Sequence, residues 1–248
     1  MKTIYILWLR QLKRYVRSKS RVIGSLAQPL LFLVSLSFGF GPVFQKAGEG
    51  NYMNFLVPGI IGMSIIFSAF FSGMEVIWDK QFGFLKETLV APVSRFNIML
   101  GRTLGGATMS VAQGLIVLII SMFIGFRPTN WFLFPVLLAL MLLVALLFTA
   151  LGTMIASLLD DMQGFQLISN FLIMPLFFLS GAIFPLQGLP KILTIISSLD
   201  PLAYGIDAFR SVLIGASTFG LHIDIIVLTL TTIFFLSLGS YFFSKIQI

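Results

Sequence analysis

The residue types that carry most enzymatic chemistry are nearly absent from this 248-residue chain, and those present are poorly placed for it. His222 is the one histidine and there is no cysteine. Thiolate and multi-histidine metal sites, cysteine nucleophiles and histidine-centred triads therefore have no raw material. His222 stands beside Asp224 in a stretch that reads as a solvated loop. Asp160 and Asp161 are adjacent, and neighbours on a helix point apart, so they read as solvating a turn and not as a paired acid and base. No G-x-S-x-G elbow, H-E-x-x-H helix or G-x-x-x-x-G-K-[ST] phosphate loop occurs. The sequence predicts no catalytic residue and no metal site. Any nucleotide that powers the protein has to bind another chain.

The remaining polar side chains are few, and each has two readings. Gln28, Gln113 and Asn170 fall inside long apolar runs, where they either bond to neighbouring helices or line a path for a substrate. Glu75 lies near one end of such a run, within reach of water. No run carries a charge near its centre, unlike the ion sites of carriers, where the cost of a midplane charge implies function. Gly101 and Gly105 form a G-x-x-x-G, and Gly152 and Ala156 repeat the small-residue spacing. Both faces allow a close helix approach without naming the partner.

The elements that must position these residues follow from composition. Hydrophobic residues make up 58% of the chain and charged ones 10%, against about 25% charged in soluble domains. No aqueous fold hides that much apolar surface. The sequence predicts an all-α integral membrane protein, one domain over 1–248, because about 20 apolar residues cross a bilayer. Six stretches qualify: about 22–44, 55–78, 103–126, 131–158, 165–184 and 223–244. Lys2, Arg10, Lys13, Arg14, Arg17, Lys19, Arg21, Lys80, Lys86, Arg95, Arg102 and Lys245 fall on one side of that arrangement; Lys46, Arg127, Lys191 and Arg210 fall on the other. The positive-inside rule then puts both termini in the cytoplasm, as an even number of spans requires.

Two segments belong to the membrane without crossing it. Residues 3–20 are amphipathic, with Ile4, Trp8, Leu12 and Val16 on one side and Arg10, Arg14, Arg17 and Arg21 roughly opposite. Such a helix lies in the headgroup plane against anionic lipid, as an anchor or as a lever on the first span. The basic block abuts an apolar span, so lipid and not nucleic acid is the expected partner. Between spans five and six, Lys191–Leu199 and Leu202–Ile214 look helical but are too short to cross. Pro185, Pro190 and Pro201 break them, while Asp207 and Arg210 stand three apart where they can pair. This predicts a re-entrant helical hairpin over about 185–215, capping an outer exit.

The linker between spans two and three reads Asp79 to Arg102 and is unusual. Leu85 and Leu89 are apolar and four apart, Phe84, Lys86 and Glu87 flank them, and Pro92 ends the turn. A short helix carrying apolar residues outside the bilayer buries them in a cleft of a soluble partner or against the N-terminal helix. The run Gly83-Phe-Leu-Lys-Glu-Thr-Leu-Val-Ala-Pro-Val-Ser-Arg95 resembles the linker motif of ATP-binding-cassette exporter permeases of the second type. Leu179-Ser-Gly-Ala182, Leu189-Pro190, Pro201-Leu-Ala-Tyr204 and Arg210 are similar to that family's C-terminal signature.

The resemblance covers nearly the whole chain and carries expectations with it. It implies the membrane-spanning subunit of an exporter of amphiphiles, drug-like or lipid- and glycan-linked, in a cell (inner) membrane. The coupling helix that docks on a separate ATPase would comprise Phe84, Leu85, Lys86, Glu87, Leu89, Pro92 and Arg95. Pro185, Pro190, Pro201, Tyr204, Asp207 and Arg210 would form an outer gate. Two copies of the ATPase, which would bind ATP and Mg, would serve a homodimer of this chain. The runner-up is an ion- or proton-coupled carrier or channel acting without an ATPase.

Overall fold

A computed structural model describes residues 2–46, 51–90, 92–186, 188 and 190–246; the side chains of Ser20, Arg21 and Leu89 lie outside it. Leu89 of the coupling motif and Leu189 of the hairpin signature are thus sequence expectations that fall, as side chain and as residue, outside the described set. Among the described residues all regular structure is helical. In chain order the helices are α1 (Lys2–Arg17), α2 (Lys19–Lys46), α3 (Tyr52–Ser72), α4 (Met74–Gln81), α5 (Phe84–Val90), α6 (Arg95–Ile124), α7 (Phe134–Leu158), α8 (Met162–Leu179), α9 (Lys191–Leu199), α10 (Pro201–Ile214) and α11 (Leu221–Ser244).

Six stretches are long and apolar enough to cross a membrane: Val22–Lys46, Tyr52–Gln81, Arg95–Ile124, Trp131–Leu158, Met162–Leu179 and Leu221–Ser244. The third begins eight residues earlier than the apolar run suggests. Ser94 caps it by accepting from the backbone N–H of Asn97 at 3.3 Å, and Arg102 inside it is neutralised by Asp79. The fifth ends at Leu179 and not near 184, because Gly181 turns the chain with φ +74°. At 30 residues α6 is about 45 Å long, about 15 Å more than the hydrocarbon core. Its first turns therefore overhang at the end of the bundle that holds α1 and α5, here called the basic end.

The core is built from α3 and α7, with α6, α10 and α11 around them. Most of α3 is buried, whereas α2 and α11 are largely exposed on their apolar sides. Gly152 of α7 shows why the small residues matter. A Cβ there would lie 2.2 Å from the carbonyl oxygen of Phe70, so the α3–α7 crossing needs bare backbone.

The hairpin expected from the prolines is present. α9 and α10 meet at 85°, with Asp200 at the bend accepting from the N–H of Leu202 at 2.8 Å and Pro201 opening α10. Proline at the first helical position costs no backbone bond, since that N–H lies outside the helical ladder in any case.

Candidate coupling segment and inner chamber

The site begins with two pairs of charges spaced four apart. Glu75 and Asp79 lie on one side of α4, and Arg10 and Arg14 lie on one side of α1. Residues four apart share a helix face, and the two faces meet. Arg14 Nη1 is 3.9 Å from Glu75 and 3.7 Å from Asp79, Arg10 is 3.9 Å from Asp79, and Arg102 Nη2 donates to Asp79 from α6. Asp79 and Arg102 are buried. Sequence reasoning placed Arg10 and Arg14 on an outward face and treated Asp79 and Arg102 as linker charges. The matched four-residue spacing of acids and bases was the signal available.

α1 is seated on α6 by the G-x-x-x-G. A Cβ on Gly101 would lie 3.0 Å from the Ile4 carbonyl oxygen, and one on Gly105 would lie 2.6 Å from Gln11 Cβ. Trp8 Nε1 donates to Thr108 Oγ1 at 3.0 Å, and Gln113 reaches Tyr15 and Ser25. These pairs put α1 alongside the overhanging half of α6, running the same way. The seated stripe is Ile4, Leu7, Trp8, Gln11 and Tyr15, rotated from the expected one; Val16 is 69% exposed. The rotation brings Arg10 and Arg14 onto the α4 carboxylates.

Next along the chain, α5 follows Gly83, whose φ of +80° makes the turn that leaves α4. Leu85 is buried, while Phe84, Lys86, Glu87 and Pro92 are exposed. The described half of the apolar pair, Leu85, is buried where α5 packs on α4, a neighbour that neither sequence reading named. Both ends of this excursion are fastened to other spans. Lys80 Nζ donates to the carbonyls of Ser157 and Leu159 at 3.0 Å each, and Gln81 Nε2 donates to Asp160 O at 3.0 Å, closing the end of α7. Arg95 Nη1 donates to the carbonyls of Ser244 and Ile246, the latter at 3.0 Å, closing the end of α11. A cation at a helix C-terminus satisfies orphan carbonyls and complements the dipole. Asp160 and Asp161 sit in the turn as expected, and Asp161 caps α8 through the N–H of Gly164.

Between α1, α2, α3, α6 and α7 lies a chamber of about 250 Å³. Gln28 and Gln113 both line it, with Glu75, Arg102 and several hydroxyls; Asn170 is exposed on α8 and takes no part.

At the opposite end, the residues that the resemblance assigns to an outer gate have separate partners. Arg210 donates to Gly181 O at 2.6 Å and Phe55 O at 3.4 Å, with its guanidinium 3.8 Å over the Phe55 ring. Asp207 accepts from the N–H groups of Thr218 and Phe219 at 2.8 Å each. Among the described residues no ion pair joins Asp207 to Arg210 despite their spacing; each side chain bonds to backbone groups instead. Tyr204 donates to Ser198 O at 2.8 Å and so holds α10 to α9. Pro185 lies in the loop after α8, and Pro190 precedes the first residue of α9. His222 is exposed as expected, but on the first turn of α11 and not in a loop; Asp224 beside it is fully buried.

Known proteins place this architecture. The family model for the ABC-2 type transporter matches residues 2–214. A putative transport permease, ycf38, of Cyanophora paradoxa is 31% identical over 214 residues, covering 84% of this chain and 72% of that one. The inner membrane transport permease YadH of Escherichia coli K12 is 29% identical over 234 residues, covering 89% of each. Nodulation protein J of Rhizobium leguminosarum bv. trifolii is 26% identical over 237 residues, covering 94% and 87%. With its six apolar helices, bent hairpin and match across most of its length, the chain belongs to the ABC-2 type transporter family and is a multi-pass transport permease subunit.

Proposed function

We propose that this permease is the membrane half of an ATP-driven exporter, with α5 as the element on which a separate ATPase docks. The observation that supports this reading is the construction around α5. It is a short helix with exposed Phe84, Lys86 and Glu87, followed by exposed Pro92, and the segment is fastened through Lys80 to α7 and through Arg95 to α11. A push on α5 therefore reaches two spans besides those it joins. In this reading two permeases pair, two ATPases bind ATP and Mg, and both termini face the ATPases in the cytoplasm. The cargo is an amphiphile, a drug-like compound or a lipid- or glycan-linked one, carried outward across a cell membrane past the α9–α10 hairpin.

Glu87 tests the docking. It is exposed on a seven-residue helix with no ion pair among the described residues, so Glu87→Lys leaves the fold unchanged within about 0.5 kcal/mol. Loss of ATPase co-purification and of ATP-driven transport in that variant is the expected result. Unchanged transport and assembly would remove α5 from the docking role. Gradient-driven flux in vesicles holding this chain alone would favour the carrier instead.

A further inference from the structure

Asn170 carries a carboxamide on the outward face of α8, at the middle of an apolar span. It lies about 12 Å along a helix of about 27 Å, so headgroup water is distant at either end. Its side chain is exposed and has no hydrogen-bond partner among the described residues. An exposed hydroxyl on a span solves this problem locally: Ser237 donates to Ile233 O of its own helix at 2.8 Å. A carboxamide has two donors and an acceptor to satisfy, and hydrocarbon offers nothing to any of them.

The neighbours of Asn170 on that face follow a fixed spacing. Gln163, Leu167, Asn170 and Met174 stand four, three and four apart, the seam along which two helices pack knobs into holes. Gln163 and Asn170 are exposed, Leu167 is 67% exposed and Met174 is half-buried, so this chain supplies one side of the seam only. The next position, Phe177, is buried in the chain's own core. The seam therefore ends near Met174, and Asn170 lies inside it.

What covers the other side must offer both a donor and an acceptor at the depth of Asn170. Lipid tails offer neither. A second copy of the chain offers both by symmetry. Two copies inserted the same way round are related by a two-fold axis along the membrane normal, which sets their α8 helices parallel and brings each seam position opposite itself. A carboxamide is self-complementary, since each N–H can donate to the other's oxygen. A lone asparagine in such a seam also fixes the register of parallel helices. We propose that α8 pairs with α8 of a second copy along this seam, the two Asn170 carboxamides hydrogen-bonded to each other across the axis. This rests on the pairing of two permeases proposed above and assigns the surface that does it; it is independent of whether α5 docks an ATPase.

The test uses the full chain in its membrane, where the absence of cysteine leaves a clean background. Leu167→Cys places a thiol in the seam, and Phe234→Cys places one at a similarly exposed position on α11. A disulfide needs Cα atoms within about 7 Å, so under mild oxidation Leu167→Cys should give a covalent dimer and Phe234→Cys should not. Adding Asn170→Leu to Leu167→Cys should lower the yield about threefold to tenfold, and adding Asn170→Gln, which keeps the carboxamide, should restore part of it. Equal yields at 167 and 234 would mean random collision and overturn the seam. A dimer by native mass spectrometry with no disulfide at 167 would overturn the seam while leaving the pairing of permeases in place; a monomer would overturn both. Yield unchanged by Asn170→Leu would overturn the amide pair, and a simultaneous fall in ATP-driven transport would give the amide to the cargo instead.

Discussion

Lys80 and Arg95 stand on either side of α5, and each closes the C-terminal end of a different span, α7 for Lys80 and α11 for Arg95. The linker is therefore bound to the bundle at four places, through its own helices α4 and α6 and through these two cations. Removing the cations leaves the exposed side chains of α5, the proposed docking face, intact and severs only its ties. Lys80→Met with Arg95→Met should lower stability by about 1.5–3 kcal/mol per position, seen as a lower thermal midpoint in detergent. ATPase co-purification should survive while ATP-driven transport falls, the opposite of the Glu87→Lys pattern.

The seat of α1 can be probed in the native background because the chain has no cysteine. Leu7 is 9% exposed against Gly101, so a Leu7→Cys reporter should react slowly with a maleimide. Adding Gly105→Leu drives a side chain into Gln11 and lifts the helix. Labelling should accelerate at least about tenfold, the change produced when local opening becomes about 1.4 kcal/mol easier. An unchanged rate would mean that α1 is held by its arginines alone.

Asp79→Asn leaves Arg102 as a buried charge without its carboxylate. Breaking such a pair costs about 3–5 kcal/mol, whereas replacing both partners with apolar residues of similar size is often neutral. Asp79→Leu combined with Arg102→Met should thus be more stable than Asp79→Asn alone. A double-mutant cycle of thermal midpoints measures the coupling.

At the opposite end, Arg210 holds the loop after α8 by bonding to Gly181 and stacking on Phe55, and Tyr52 donates to Ile183 O at 2.9 Å. A lysine has neither the planar fork nor the stacking face. Arg210→Lys should open residues 180–186 to hydrogen exchange by about 1.5–3 kcal/mol, and Tyr52→Phe by about 0.5–1.5 kcal/mol. The basic end should exchange as before in both variants.

Much of this fold was written in local pattern. Apolar runs announced six spans, prolines announced the α9–α10 break, and the Gly101–Gly105 spacing announced a close contact. What local pattern could not supply was the identity of the neighbour. The glycine groove takes α1 and not another span, which rotates the seated stripe away from Val16 and onto Leu7 and Gln11. Asp207 and Arg210 looked like partners because they are three apart, yet Asp207 bonds to the backbone of Thr218 and Phe219 and Arg210 to that of Gly181. Arg95 was expected in the coupling segment, and its reach to the end of α11, about 150 residues later, had no signal in local pattern. Of the chamber, Gln28 and Gln113 were singled out by polarity; Arg102 was missed because its burial depends on a carboxylate from a different helix.

The seat of α1 also imposes an order on how the protein is made. The ribosome finishes α1 before it has begun the groove that receives it, since Gly101 follows Ile4 by nearly a hundred residues. At roughly 5–20 residues per second, the nascent helix waits about 5–20 seconds for its glycines. During that interval its apolar stripe and its arginines have only the bilayer surface to lean on. Final closure of the basic end is thus a late step of biogenesis, delayed until α6 has been inserted.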